Sequence, residues 1–386
     1  MTRHPGLLIF ALWAAGLGAA AQFGKISVIF QDLAQIYGGT TRTAFMVSIV
    51  GFVGLIFGTT SGIAVRRLGL RRVMLAALAL GAVISAVQAL ILPYPLMMAS
   101  RVLEGVSHLV IVVVAPAVIA QAASARYQGF AMTLWSTFFS LCYAVLALVG
   151  PPVANSYGPS GLFLAHSAYM IVIFLMLYVL MPDILPEPGQ GSGPRALLHA
   201  HAEIYASPRI AAPATGFFFY TILYVAILTL LPPLMGSGRA LVATAMPLVS
   251  IAVSLTLGVA LLRRLSAVRL VQAGFAFAMV GGLCMGLGWS LDVLRFGGAL
   301  LLAAALGIVQ GASFASIPQL NASEGDRILS SGAVAQLGNL GTSTGTPLLA
   351  LMISLFGPSG VATFAVPLCL GGIAVHAWQA RRRRMG

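Results

Sequence analysis

Twelve apolar stretches of roughly 20 residues run along the chain, separated by short strips that hold nearly all of its charge. They fall at 7–30, 43–65, 73–92, 96–121, 128–150, 161–181, 211–233, 241–262, 270–290, 295–317, 328–355 and 359–380. As helices they are long enough to cross the ~30 Å hydrocarbon core of a bilayer. They do not alternate polar with apolar, and they exceed the length of a barrel strand. The pattern therefore predicts an all-α membrane protein with twelve transmembrane helices, numbered here as spans 1–12.

The plan is stated twice. Tyr157-Gly158-Pro159-Ser160-Gly161 returns as Phe356-Gly357-Pro358-Ser359-Gly360, 199 residues later. Arg66-Arg67-Leu68-Gly69, followed by Arg71 and Arg72, returns as Arg263-Arg264-Leu265-Ser266 with Arg269, 197 residues later. A near-constant offset between loops means equal numbers of elements between them. Two pseudo-symmetric six-helix halves are expected at 1–181 and 210–386, the second with a basic tail. Residues 182–209 join them as a linker, in which Pro182, Pro186, Pro188, Gly189, Gly191, Gly193 and Pro194 break any helix. His199 and His201, two apart, point to different sides of a helix and suggest no metal site.

Composition supports the reading. The chain is 59% hydrophobic and 8% charged, against about 25% charged in a soluble domain. The net charge of +13 comes almost wholly from arginine, and its placement sets the orientation. With the N-terminus inside, Arg3, Arg66, Arg67, Arg71, Arg72, Arg126, Arg195, Arg209, Arg263, Arg264, Arg269, Arg327 and Arg381 to Arg384 face the cytoplasm. Only Arg42, Arg239 and Arg295 face outward. Both termini are thus expected in the cytoplasm, with the chain in the inner membrane and the lipid bilayer as its solvent. The arginines mark topology and lack the interleaved aromatics of a nucleic-acid surface. Arg3, Leu7–Leu17 and Ala19-Ala20-Ala21 have the outline of a signal peptide. Apolar residues resume at Ile26–Phe30, however, and removing span 1 would break the six-plus-six repeat. Cys142, Cys284 and Cys369 lie in different spans and read as small packing residues, with no disulfide or metal spacing.

The strip between spans 2 and 3 reads Gly62-Ile63-Ala64-Val65-Arg66-Arg67-Leu68-Gly69-Leu70-Arg71-Arg72, and span 4 holds Arg101-Val102-Leu103-Glu104-Gly105. With twelve spans in two halves, a longer central loop and termini inside, the chain resembles the major facilitator superfamily of secondary transporters over nearly its whole length. The first segment resembles the family's gating loop of Gly, three residues, an acid, Arg, one residue, Gly, one residue and two bases. Arg66 stands where the family has the acid, so the gate bond made by that acid is in doubt. Arg67 and Arg71 remain placed to meet helix C-termini, or serve only to fix orientation. The span 4 segment is similar to the family's Arg-x-x-x-Gly element. Gly150-Pro151-Pro152, read as the end of span 5, is a weak likeness of the antiporter motif, and Gly345-Thr346-Pro347 its partial echo. The resemblance implies a central cavity between the halves, lined mainly by spans 1, 4, 7 and 10, and alternating access around it.

Charge inside a bilayer costs roughly 2.5–3.5 kcal/mol per residue on insertion scales, so it marks function. Three such residues occur: Lys25, the sole lysine, in span 1, and Arg101 and Glu104 in span 4. At ~1.5 Å per residue, Lys25 and Arg101 sit about 9–10 Å in from the outer face. Two cations at one depth point to an anionic substrate group, held bidentately by Arg and by the point charge of Lys. Alternatively Lys25 snorkels to the interface, and Arg101 pairs structurally. Arg101, Glu104 and His108 share a helix face. Glu104 is the candidate carrier of a coupling proton, with His108 as a relay. The plainer reading is a neutralising Arg101–Glu104 pair, with His108 on a carbonyl. His166 and His376 lie in spans 6 and 12, peripheral in the family, and receive no role. At the repeat offset Lys25, Arg101 and Glu104 map to Ile222, Gly298 and Leu301. The second half offers neutral polarity instead. Tyr220 and Tyr224 in span 7, Gln310 in span 10, and Gln336 and Asn339 in span 11 are candidates to bind the rest of a substrate or to join helices.

The expectation is a monomeric transporter that moves a small organic, anionic solute by proton-coupled alternating access. The proton gradient is its driving force, and no cofactor, metal or enzyme activity is implied. The rivals are a drug/proton antiporter, with Glu104 serving lipophilic cations, and a non-transporting membrane sensor.

Overall fold

The computed structural model describes residues 5–124, 131, 134–182, 201–322 and 324–385, and among these it contains helices and no strand. Span 1 is the helix Pro5–Val28. Span 2 is broken into Thr40–Ser48 and Gly51–Leu68, bent by 40° at the break. Span 3 is Leu70–Gln88 and span 4 is Tyr94–Ala122. Phe138–Leu180 is one run of helix containing spans 5 and 6, which part at Gly158. Span 7 is Ala211–Leu234. Span 8 is Arg239–Val253, continued through a π-helical turn, Ser254–Gly258, into Val259–Leu262. Spans 9, 10, 11 and 12 are Ala267–Leu287, Asp292–Leu320, Glu324–Phe356 and Gly360–Met385. These helices are long and apolar enough to cross a membrane, once the bent pair is counted as one span and the two merged runs are divided at their turns.

The doubled phrase has a structural meaning. Gly158 has φ 68° and Gly357 φ 59°, left-handed conformations that only glycine adopts without strain. Each is followed by a proline, whose fixed φ suits the start of a helix and whose missing N–H is not needed there. The phrase is thus a reusable turn, between spans 5 and 6 and between spans 11 and 12. The Arg-Arg-Leu turns are solved differently. Gly69 takes φ 88°, whereas Ser266 stays extended and caps span 9 by accepting from the Arg269 backbone N–H at 3.4 Å.

Two details correct the sequence reading. Gly150-Pro151-Pro152 does not end span 5, because the helix continues through it to the turn at Gly158. In lipid an interrupted helix still keeps most backbone groups paired, whereas an early exit from the helix would strand them. Span 1 does not reach Phe30. It ends at Val28, and a separate amphipathic helix, Phe30–Tyr37, buries Phe30, Leu33, Ala34 and Tyr37 on one face.

The chain divides into two compact units, Met1–Gly191 and Ser192–Gly386. Most of residues 182–209, with His199, lies outside the described residues, as does Arg126. In the first unit span 1 packs on span 4 and on the Phe138–Leu180 helix, span 3 on the same two, and the second part of span 2 on span 4. Ala11, Ala15 and Ala19 of span 1 share the core of this unit with Leu78, Ile111 and Met170; small residues suit close helix packing in lipid. In the second unit span 7 packs on spans 10, 11 and 12, span 9 on 10 and 12, and span 8 on 10. The segment before span 7 is fastened to this unit. Arg382 Nη2 donates to the Ala206 carbonyl at 2.9 Å and Arg383 Nη1 to that of Pro208 at 2.8 Å.

Candidate functional site

The three charged residues that the sequence placed within spans meet in one buried cluster in the first unit. Span 1 brings Lys25 in its last turn, and span 4 brings Arg101 and Glu104 one turn apart. Span 3 ends with Ser85 and Gln88, and span 6 contributes His166. All are buried, with Lys25, Arg101 and Glu104 at 0% exposure.

Lys25 Nζ donates to Glu104 Oε1 at 2.6 Å, Ser85 Oγ at 2.8 Å and Gln88 Oε1 at 2.9 Å. His166 Nδ1 lies 3.3 Å away, and the Phe163 ring 5.1 Å. Glu104 Oε2 accepts from Gln88 Nε2 at 3.1 Å and forms a close ion pair with Arg101 Nη1. Gln88 Nε2 also reaches Ser100 Oγ, at 3.1 Å. The Arg101 Nε donates to the Met46 carbonyl at 2.9 Å. Met46 lies in the last turn of Thr40–Ser48, so the guanidinium closes a helix C-terminus at the break in span 2, where positive charge is favoured.

The histidines can be assigned by their partners. His166 Nε2 faces the Gly18 carbonyl at 3.0 Å. A carbonyl only accepts, so Nε2 carries the proton, and Nδ1 of the neutral ring is an acceptor for Lys25 or Ser85. His108 Nδ1 lies 3.1 Å from the Ala19 carbonyl and its ring meets Phe23 edge-on at 5.0 Å.

Two buried cations thus share one carboxylate. Burying an ion costs several kcal/mol unless it is paired and hydrogen-bonded. Lys25 meets that condition. Arg101 does not, since its Nη2 has no partner among the described residues. The cluster holds one positive charge in excess and one donor nitrogen unused.

The other predicted residues are placed as follows. Tyr220 and Tyr224 stack at 5.1 Å, and Phe217 stacks on Tyr220 at 5.1 Å. The Tyr220 hydroxyl is buried without a partner among the described residues. Gln310 is half-buried. Gln336 accepts from Tyr205 Oη at 2.8 Å, which ties span 11 to the segment before span 7. Burial pushes the Tyr205 phenol up to about 12, so it remains a donor at neutral pH. Asn339 Nδ2 donates one turn back, to the Ala335 carbonyl at 2.8 Å. In the gating loop Arg71 Nη2 donates to the Tyr178 carbonyl at 2.7 Å, in the last turn of span 6, with its guanidinium 5.2 Å from the Tyr178 ring. Arg72 is exposed. Gly62, Arg66 and Arg67 are helical, and their side chains lie outside the described residues.

Ser85, Gln88 and His166 were missed by sequence reasoning. The available signal was the pair Ser85 and Gln88, spaced one turn apart at the end of an otherwise apolar span.

Helices of this length and apolarity, with a buried charge cluster inside the first unit, define a multi-pass membrane protein. The Major Facilitator Superfamily profile matches residues 8–325, and the chain belongs to that family of membrane transporters. No curated sequence matches it. Among solved structures it is similar to the human organic anion transporter MFSD10 (TETRAN), with a TM-score of 0.75 and 18% identity, covering 96% of this chain and 99% of that one. It is also similar to a bacterial homologue of the human lysosomal transporter Spinster, in an inward-facing, unoccupied conformation, with a TM-score of 0.71 and 13% identity over 98% and 95% of the two chains. At these identities the likeness is one of fold.

Proposed function

We propose that this protein is a secondary transporter of the cytoplasmic membrane that carries a small organic anion together with protons. The observation that carries the reading is the shared carboxylate: Glu104 serves both Lys25 and Arg101, and Arg101 Nη2 is left over. Protonating Glu104 removes the counter-charge of both cations at once. An incoming carboxylate then supplies it, bidentate on the guanidinium and held by the ammonium. Proton and anion favour each other's binding, which is the requirement for moving them together. Tyr220, Tyr224 and Gln310 are the substrate-binding candidates of the second unit. Gln336 and Asn339 spend at least one bond each within their own unit. His108 would act on protons only through the Ala19 carbonyl it holds, whereas His166 touches Lys25 directly.

The drug/proton antiporter reading is less well supported, because a lipophilic cation finds Glu104 already facing two cations. MFSD10 is an organic anion transporter, and that likeness is one of fold; the anion reading rests on the cluster. The test is uptake of labelled organic anions into proteoliposomes under an imposed pH gradient. The expected result is anion accumulation that follows the gradient and is lost in Glu104→Gln. Gradient-driven movement of lipophilic cations, with no anion flux, would overturn the reading.

A further inference from the structure

A second polar feature lies at the end of the first unit opposite the Arg66–Arg72 turn. A cavity of about 460 Å³ opens there between the Phe30–Tyr37 helix, the start of span 2 and the turn joining spans 3 and 4. Its walls include Ile36, Ile91 and Pro93, and its polar groups come from Tyr37, Arg42 and Tyr94. The volume lies within the ~300–1,000 Å³ usual for small-molecule sites.

The cavity is a built structure. Tyr37 Oη donates to the Leu92 carbonyl at 2.9 Å, and Arg42 Nη1 to the Tyr37 carbonyl at 3.2 Å. Tyr94 Oη donates to the Arg42 carbonyl at 3.2 Å, and its ring lies 5.5 Å from the guanidinium. Burial keeps the Tyr37 phenol above the usual tyrosine range, so it stays a neutral donor. Arg42 Nε and Nη2 hold no hydrogen bond among the described residues, and the side chain is exposed. The guanidinium is therefore fixed at one edge and open at the other.

The floor is strained. Ile91 has φ 49°, a conformation that is a true outlier for a β-branched residue. Such strain persists only where the surroundings impose it, and it collects at ligand sites. Here the imposing contacts are the Tyr37 bond to Leu92 and the Ile91 N–H bond to the Gln88 carbonyl at 3.0 Å. Gln88 is also the residue whose side chain spans Lys25 and Glu104. Backbone and side chain of one residue thus join the cavity floor to the buried cluster.

We propose that this cavity is a second binding site, an outer station for an organic carboxylate, which sits on the free edge of Arg42 with its apolar body against Ile36, Ile91 and the tyrosine rings. That the same solute continues to the buried cluster rests on the transport reading above; binding at Arg42 does not. An anionic lipid headgroup offers similar chemistry, and the experiment separates the two sources.

Benzoate is a suitable probe, a flat monocarboxylate with an apolar ring. Its saturation binding is measured on the full chain in phosphatidylcholine nanodiscs, and its initial uptake in vesicles with and without phosphatidylglycerol. Arg42→Gln is expected to remove one class of benzoate site and to raise the transport KM about tenfold, with the maximal rate unchanged, in both lipid mixtures. Arg42→Lys should fall between. Binding and KM unaffected by Arg42→Gln would overturn the proposal. So would an effect confined to phosphatidylglycerol vesicles, which would assign Arg42 to a lipid headgroup. Arg42-dependent benzoate binding without any anion uptake would uphold the cavity as a site and overturn the transport reading instead.

Discussion

Lys25 and Glu104, 79 residues apart in the chain, form an ion pair of 2.6 Å with neither side chain exposed to solvent. The pair does not stand alone, because Arg101 shares the same carboxylate. Removing different members therefore has unequal consequences.

Glu104→Gln leaves two buried cations facing each other, whereas Lys25→Met leaves a balanced Arg101–Glu104 pair. The first should cost about 3–5 kcal/mol. The second should cost about 1–3 kcal/mol, mainly from Ser85 and Gln88 losing a donor. Thermal or denaturant unfolding of both variants in the same detergent checks the order. Equal losses, or a larger one for Lys25→Met, would refute the charge count.

His166 and His108 are distinguished by their contacts. His166→Ala removes an acceptor next to the Lys25 ammonium, so it should move the pH profile of anion uptake. His108→Ala removes a bond to the Ala19 carbonyl and an edge contact with Phe23, neither of them on the Lys25 ammonium, and should lower the rate with little change in profile. His166→Gln, which keeps an acceptor, should restore part of the wild-type profile. A larger profile shift in His108→Ala would count against this assignment.

Gly158 carries φ 68° and ψ 179°, a region closed to residues with a Cβ. Gly158→Ala should cost about 1–3 kcal/mol, although open space surrounds the added methyl. Gly6→Ala, also in open space but at a helical position, should be neutral or slightly stabilising. Melting temperatures of the two variants test whether backbone conformation is the cause.

Tyr205 provides a pH signature. Its folded phenol, raised by burial to about 12, favours the protonated form that donates to Gln336. That stabilisation is complete below the unfolded tyrosine pKa of about 10 and is lost as pH climbs through about 12. Tyr205→Phe should flatten part of the alkaline loss of stability over that interval. It should also remove one late-ionising phenol from the ultraviolet titration. An unchanged titration would contradict the burial that raises this phenol.

The spans were legible because each is a continuous apolar run bounded by arginine or glycine, and the repeat of Gly158 as Gly357 was legible because one backbone geometry needs one residue type. The break after Val28 was not. Apolarity continues through Ile29 and Phe30, and only the i, i+3, i+4, i+7 burial of Phe30, Leu33, Ala34 and Tyr37 shows a helix of different orientation. Arg101–Glu104 could be read from helical spacing. Lys25–Glu104 could not, because nothing in a linear pattern states which faces of spans 1 and 4 meet. Ser85, Gln88 and His166 escaped for a related reason: span 6 was assigned to the periphery and span 3 was given no part in the cavity, yet their inward faces close the cluster.

The bonds from Arg382 and Arg383 to the carbonyls of Ala206 and Pro208 join the last helix of the second unit to the segment that opens it. They make that half a closed loop, clasped without a covalent bond. Cutting the chain before residue 201 would therefore leave the segment at Ala206 and Pro208 still fastened to the last helix. Trimming the final arginines would open the clasp from the far end. For this half the C-terminal arginines do the work of a ring closure.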